Sequence, residues 1–184
     1  MSGGLDSQLA VRVLQNAGAH VEAVMFSSPF FKDDGSALKA ANALGVKLHQ
    51  LDFTETIVGL FDSPAHGFGT AMNPCIDCHA AMIACAGRLM NDLGYDFVAT
   101  GEVVGQRPFS QNKQAMGIVE KTSGLSGRLI RPLSAKLLPE TIPEREHLID
   151  REKLYDISGR SRDRQMAMAE EFGITEYPSP AGGC

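Results

Sequence analysis

The chain has 184 residues, 43% of them hydrophobic and 21% charged, with a formal net charge of −5; this suits one soluble α/β domain with a sizeable core and leaves little room for a second. No apolar run nears the ~20 residues that a membrane span needs and no signal peptide is visible, so a cytoplasmic location and no membrane partner are expected. The charge is uneven: residues 1–99 carry 5 Lys/Arg against 10 Asp/Glu, whereas residues 100–165 carry 12 against 9. That modest basic excess fits either a solvated surface or a partial track for a phosphate backbone.

Taken in chain order, the first hundred residues alternate helix and strand. Leu5, Leu9, Val13 and Leu14 share a helical face that ends at Gly18, after which HVEAVMF (20–26) reads as a strand broken by Ser27-Ser28-Pro29. DDGSALKAANALG predicts a second helix stopping at Gly45, and VKLHQLDF (46–53) a second strand. A third helix is predicted over roughly 77–93 and a third strand over YDFVATG (95–101). Beyond 102 the pattern weakens into a polar, Gly/Pro-punctuated stretch. One short strand is expected at 128–133, and short helices near 143–149, 151–157 and 162–172, with Pro143-Glu144 and Asp163 as start signals. Strands separated by helices imply right-handed crossovers and a mostly parallel sheet with helices on both faces. The expected organisation is one domain over 1–184, a nucleotide-binding core to about 133 followed by a helical arm ending in a cysteine.

Ser2-Gly3-Gly4-Leu5-Asp6-Ser7 opens the chain and runs straight into the first helix. Adjacent glycines let backbone N–H groups approach an anion, the helix adds its positive end, and Ser2 and Ser7 add hydroxyls. A carboxylate at Asp6 beside phosphates suits a magnesium ion. The alternative is a plain Gly-Gly turn with a helix cap.

The four cysteines are Cys75, Cys78, Cys85 and Cys184. Cys75 and Cys78, three apart at a predicted helix start, form a metal or redox clip whose thiol pKa the helix end lowers. Cys85 lies on an apolar helix and reads as core. Cys75, Cys78 and Cys184 then make a three-thiolate set, which would leave one iron of a 4Fe-4S cluster open to a non-protein ligand; zinc, or persulfide chemistry without metal, are the alternatives. His66, His79, Arg107, Arg128, Arg131, Lys136, Arg160, Arg162 and Arg164 complete the polar candidates. The arginines of GRSRDRQ hold RNA phosphates or solvate a helix, and His79 is a ligand, a proton donor or an ordinary helix-face histidine.

SGGLDS resembles the SGGxDS signature of the PP-loop ATP pyrophosphatases, which cleave ATP between the α- and β-phosphates and leave AMP on a substrate oxygen. A typical member has a hydrophobic strand before this loop, whereas only Met1 precedes it here, so the usual first strand is expected to be missing. With NPCIDCH, VATGEV and a late cysteine in a Pro/Gly setting, the chain is similar to the tRNA 2-thiouridylase branch and to three-cysteine tRNA thiolation enzymes. Many 2-thiouridylases have Asp in place of Cys75 and His in place of Glu102. The resemblance implies ATP and magnesium at Ser2, Gly3, Gly4, Asp6 and Ser7. It places the adenosine end at Ser27 and Thr100-Gly101, and sulfur chemistry at Cys75, Cys78 and Cys184. The implied partners are tRNA and a sulfur donor, either sulfide or a persulfide carrier protein. Two rivals stand beside it: the same ATP chemistry on a small molecule, and a non-catalytic zinc or redox module.

Overall fold

In a computed structural model, which describes residues 1–31, 34–68 and 74–178, helices and short parallel strands alternate as the periodicity implies. Helix α1 (Leu5–Asn16) starts from an extended Gly4 and buries Leu5, Leu9, Val13 and Leu14. Strand β1 (Ala23–Ser27) is followed by α2 (Ser36–Leu44), β2 (Leu48–Asp52), α3 (Thr54–Asp62), α4 (Cys75–Leu93) and β3 (Val98–Ala99). Then come α5 (Lys113–Thr122), β4 (Leu129–Ile130), α6 (Ile142–Arg145) and α7 (Asp163–Glu171), with single 3-10 turns at Ala135–Leu137 and Arg151–Lys153.

The strands form two parallel pairs. Ala23 to Ser27 run in register with Leu48 to Asp52, and Val98-Ala99 with Leu129-Ile130. The opening loop lies between the pairs: the amino group of Met1 donates to Val24 O on β1, while the start of α1 packs on Gly101, two residues past β3. Among the described residues no strand precedes that loop, and β1 and β3 are not hydrogen-bonded to each other. The segment just past the carboxyl end of β3 therefore lies on the loop, and open α/β sheets place their ligands beyond such ends.

Two helices depart from the expected pattern. Over 54–62, α3 exposes Val58 and Phe61 and buries Ile57, so its apolar stripe is too thin to read as a period. In α5 the stripe is Ala115, Met116 and Val119 around an interior Gly117, and tertiary packing on α4 outweighs that glycine's low helix propensity. Its N-cap is Asn112, whose side-chain oxygen accepts from the Ala115 N–H at 2.9 Å. The expected third helix begins at Cys75, two residues early, and the cap of α7 is Arg162 in place of Asp163. The expected helix over 151–157 contracts to the 3-10 turn.

The main core joins α1 to the carboxyl-terminal half: Leu5, Leu9, Val13 and Leu14 pack with Val103, Ile130, Leu133, Ile149, Leu154, Ile157, Met168 and Ala169. Residues 149–174 thus help to hold the helix that presents the loop. Leu9→Ala, at a fully buried site in that core, is expected to lower stability by about 2–5 kcal/mol through lost burial and a residual cavity. A fall in the urea midpoint at unchanged slope is the measurement that checks it.

Candidate functional site

The loop is built by two close approaches. Gly3 takes a left-handed φ of 73°, and a Cβ there would sit 2.6 Å from the backbone of Ser36 at the start of α2. Gly101 lies against the first turn of α1, where a Cβ would come within 2.7 Å of the Asp6 carbonyl group. Both contacts exclude every side chain larger than hydrogen. Ser36 Oγ donates to Ser2 O at 3.2 Å, Ser7 Oγ to Gly4 O at 2.8 Å, and the buried Gln8 amide to Gly3 O at 2.7 Å. Ser2, Gly3, Gly4, Asp6 and Ser7 are thereby held at the head of α1, next to Thr100-Gly101.

Asp6 is not an open carboxylate. Its Oδ2 accepts from Gln106 Nε2 at 3.1 Å and from Arg162 Nη2 at 3.4 Å, whereas Oδ1 is buried without a hydrogen-bond partner. A buried, unpartnered carboxylate oxygen fits a hard cation such as magnesium. Sequence reasoning put Arg162 on an RNA-facing or solvated surface. Its approach to Asp6, 156 residues away, carries no local signal.

Thr100, Gly101 and Glu102 reach both halves of the proposed chemistry. While Gly101 touches Asp6, Glu102 is buried next to α4: its Oε2 accepts from Thr100 Oγ1 and Arg131 Nε, each at 3.0 Å. Its Oε1 lies 3.4 Å from Nδ1 of His79, the residue after Cys78. Arg131 is 3% exposed and turns its other two nitrogens to Glu120 Oε2 and Met116 O, which makes this polar candidate an internal residue. Burial raises the Glu102 pKa, but the contacts with His79 and Arg131 outweigh burial and hold the carboxyl at about 2. Thr100, expected at the adenosine end, gives its hydroxyl to this carboxylate.

The cysteine helix has its own support. Asp77, between the two cysteines and 5% exposed, accepts the His66 backbone N–H at 2.9 Å and faces His66 Nδ1 at 2.6 Å. This ties the segment before 69 to the first turn of α4. Cys78 is buried beside Phe53 and Ile57, Cys75 is half-buried, and Cys85 packs at the edge of the same cluster and accepts from Arg88 at 2.9 Å. Cys184 lies outside the described residues, and among those described no three His, Cys, Asp or Glu side chains converge on a metal position. Ser27 ends β1 opposite Asp52 and donates weakly to Leu51 O at 3.4 Å. Arg107, Arg128 and Arg160 are exposed, Arg164 pairs with Asp156, and Lys136 with Glu152.

Gly101→Ala is expected to force the 100–102 turn off α1 at a cost of about 1–3 kcal/mol, and to weaken nucleotide binding about tenfold or more; titration with Mg-ATP measures it. For Glu102 the folded pKa of about 2 lies below the ordinary 4.5. Its stabilisation is therefore complete above pH 4.5 and lost as the pH falls towards 2. Glu102→Gln should lose about 3 kcal/mol at neutral pH by leaving Arg131 short of a charge. The gap to the wild type should close on acidification, and denaturant melts at pH 7, 4 and 3 test this.

Comparison with known proteins agrees with this geometry. Residues 1–123 match the family model described as the tRNA methyl transferase HUP domain. Among characterised proteins the chain is similar to the tRNA-specific 2-thiouridylase MnmA of Sulfurimonas denitrificans, at 32% identity over 115 residues, covering 56% of this chain and 33% of that protein. The Haemophilus ducreyi MnmA is 30% identical over 132 residues, covering 63% and 34%, and the Marinobacter nauticus MnmA 32% over 129, covering 60% and 32%. The chain thus spans about a third of the length of the curated relatives it matches. With two thirds of its residues matching that model, the chain belongs to the tRNA methyl transferase HUP-domain family, on the tRNA-thiolation branch of the PP-loop superfamily.

Proposed function

We propose that this chain carries out ATP-dependent tRNA thiolation, adenylating a uridine oxygen and replacing it with sulfur. The observation that carries the reading is the 100–102 turn: Gly101 is in contact with the phosphate loop, and Glu102 with the residue after Cys78. Nucleotide and thiol chemistry would then share one wall.

A pyrimidine carbonyl oxygen is a poor leaving group, so activation comes first. The oxygen attacks the α-phosphorus of ATP, the bond to the bridging oxygen breaks, and pyrophosphate departs. Ser2, Gly3, Gly4 and Ser7 hold phosphate oxygens, Asp6 holds magnesium, and Ser27 with Thr100-Gly101 borders the adenosine. Magnesium supplies charge neutralisation along the polyphosphate. A sulfur nucleophile then attacks the activated carbon, the C–O bond breaks and AMP leaves.

Cys75, Cys78 and Cys184 handle that sulfur, which arrives from sulfide or a persulfide carrier protein. In the cluster form, Cys75, Cys78 and Cys184 would hold a 4Fe-4S group, which would supply an iron position for sulfide. In the persulfide form, Cys184 bears the persulfide and Cys78 resolves it: the terminal sulfur on Cys184 attacks the carbon, and the Cys78 thiolate then attacks the Sγ of Cys184 and breaks the S–S bond. The thiocarbonyl is released and a disulfide is left, which an external thiol reduces.

Anaerobically purified protein is expected to form AMP from ATP only with tRNA present, and Cys78→Ala to abolish thiolated nucleoside while still binding ATP. AMP formation without RNA would instead point to a small-molecule substrate. A brown protein with about four irons that loses its colour in Cys75→Ala supports the cluster; a colourless, iron-free and active protein assigns the step to persulfide.

A further inference from the structure

The contact between Arg162 and Asp6 is only half made. An arginine fork facing a carboxylate ordinarily forms two parallel N–H···O bonds, yet here Nη2 alone reaches Oδ2, at 3.4 Å. The Nε–H of Arg162 and the Oδ1 of Asp6 are both out of solvent contact and both without a hydrogen-bond partner. Buried polar atoms in native proteins are nearly always satisfied, so an unpartnered donor on Arg162 beside an unpartnered acceptor on Asp6 suits a ligand that offers both an anion and a cation.

The arginine is held there by backbone. Gly159 N–H donates to Val104 O at 2.8 Å, Ser158 and Val104 form a parallel bridge, and Ile157 N–H donates to Leu133 O at 2.8 Å. These bonds fasten the segment leading to α7 onto the 103–106 turn, which supplies Gln106 to the same Asp6 oxygen at 3.1 Å. α7 in turn packs on α1 through Met168 and Ala169.

We propose that Arg162, assisted by Gln106, is a nucleotide-site residue that grips the β- and γ-phosphates of Mg-ATP. The inference rests on the reading of the glycine loop as an ATP site. Without nucleotide, the guanidinium neutralises Asp6. With Mg-ATP, the pair opens: Oδ1 of Asp6 faces the magnesium ion and Nε–H of Arg162 a phosphate oxygen. As the bond to the α-phosphorus breaks, negative charge gathers on the departing pyrophosphate, and a guanidinium that stays charged at any working pH stabilises it.

Calorimetric titration of the 184-residue chain with Mg-bound α,β-methylene ATP, Mg-pyrophosphate and AMP tests this on wild type, Arg162→Ala, Arg162→Lys and Arg164→Ala. Arg162→Ala is expected to weaken the analogue and pyrophosphate at least about tenfold while leaving AMP unchanged. Arg162→Lys keeps the charge without the fork and should recover part of the loss, and Arg164→Ala, whose partner is Asp156 on the surface, should match the wild type. Equal pyrophosphate affinity in wild type and Arg162→Ala overturns the proposal and leaves the ATP-site reading standing. A wild type that binds neither the analogue nor pyrophosphate brings down both. A shallower salt dependence of tRNA binding in Arg162→Ala, with nucleotide affinity intact, assigns the arginine to RNA phosphates and also overturns it. If circular dichroism shows Arg162→Ala unfolded, Arg162→Lys decides, and undiminished pyrophosphate affinity in that variant refutes the proposal.

Discussion

The site depends on one steric fact, the absence of a side chain at residue 101. With hydrogen there, the backbone after β3 lies directly on the first turn of α1; a single added carbon would stand 2.7 Å from the Asp6 carbonyl. That approach joins the two parallel pairs across the glycine loop, since no backbone hydrogen bond among the described residues links β1 to β3. It also sets the distance between the loop and whatever residues 100 and 102 hold. Gly3 does the same on the other flank against Ser36. The glycine loop is thus clamped from both sides by backbone.

Beyond that contact, the turn is stiffened by a buried ionic network. Glu102 stands between Thr100, His79 and Arg131, and Arg131 is shared with Glu120. Such a network contributes little net stability compared with an apolar replacement, because desolvation offsets much of the Coulomb attraction. Its value lies in geometry: each charge has few places to go. The carboxylate at Glu102 faces His79, the residue after Cys78, while Gly101 beside it lies on the first turn of α1.

The charge distribution also takes on a more specific meaning in three dimensions. The basic excess after residue 100 is not one surface. Arg131 is internal, Arg162 lies on the glycine loop, Arg164 and Lys136 are paired with surface carboxylates, and Arg107, Arg128 and Arg160 are exposed. Arg131 thus serves the interior and Arg162 the loop, so the net charge of this stretch does not measure one surface.

What the linear sequence determined by itself was local. Leu5, Leu9 and Val13 announce α1 by their spacing, the glycine pair the turn that opens it, and Cys75 and Cys78 stand three apart at a helix start. Apolar alternation placed β1 and β2 within a few residues. Helices α3 and α5 escaped notice because their buried faces hold only one and three residues, too few for a period to emerge. The partnerships of Asp6 with Gln106 and Arg162, and of Glu102 with His79 and Arg131, came only from the tertiary structure. They join residues 23 to 156 positions apart, and a charged residue in a polar stretch reads the same whether it meets solvent or a buried partner. Hydrophobic spacing is a property of neighbours along the chain; charge pairing is a property of neighbours in space, and the packing of α7 on α1 is what makes those neighbours.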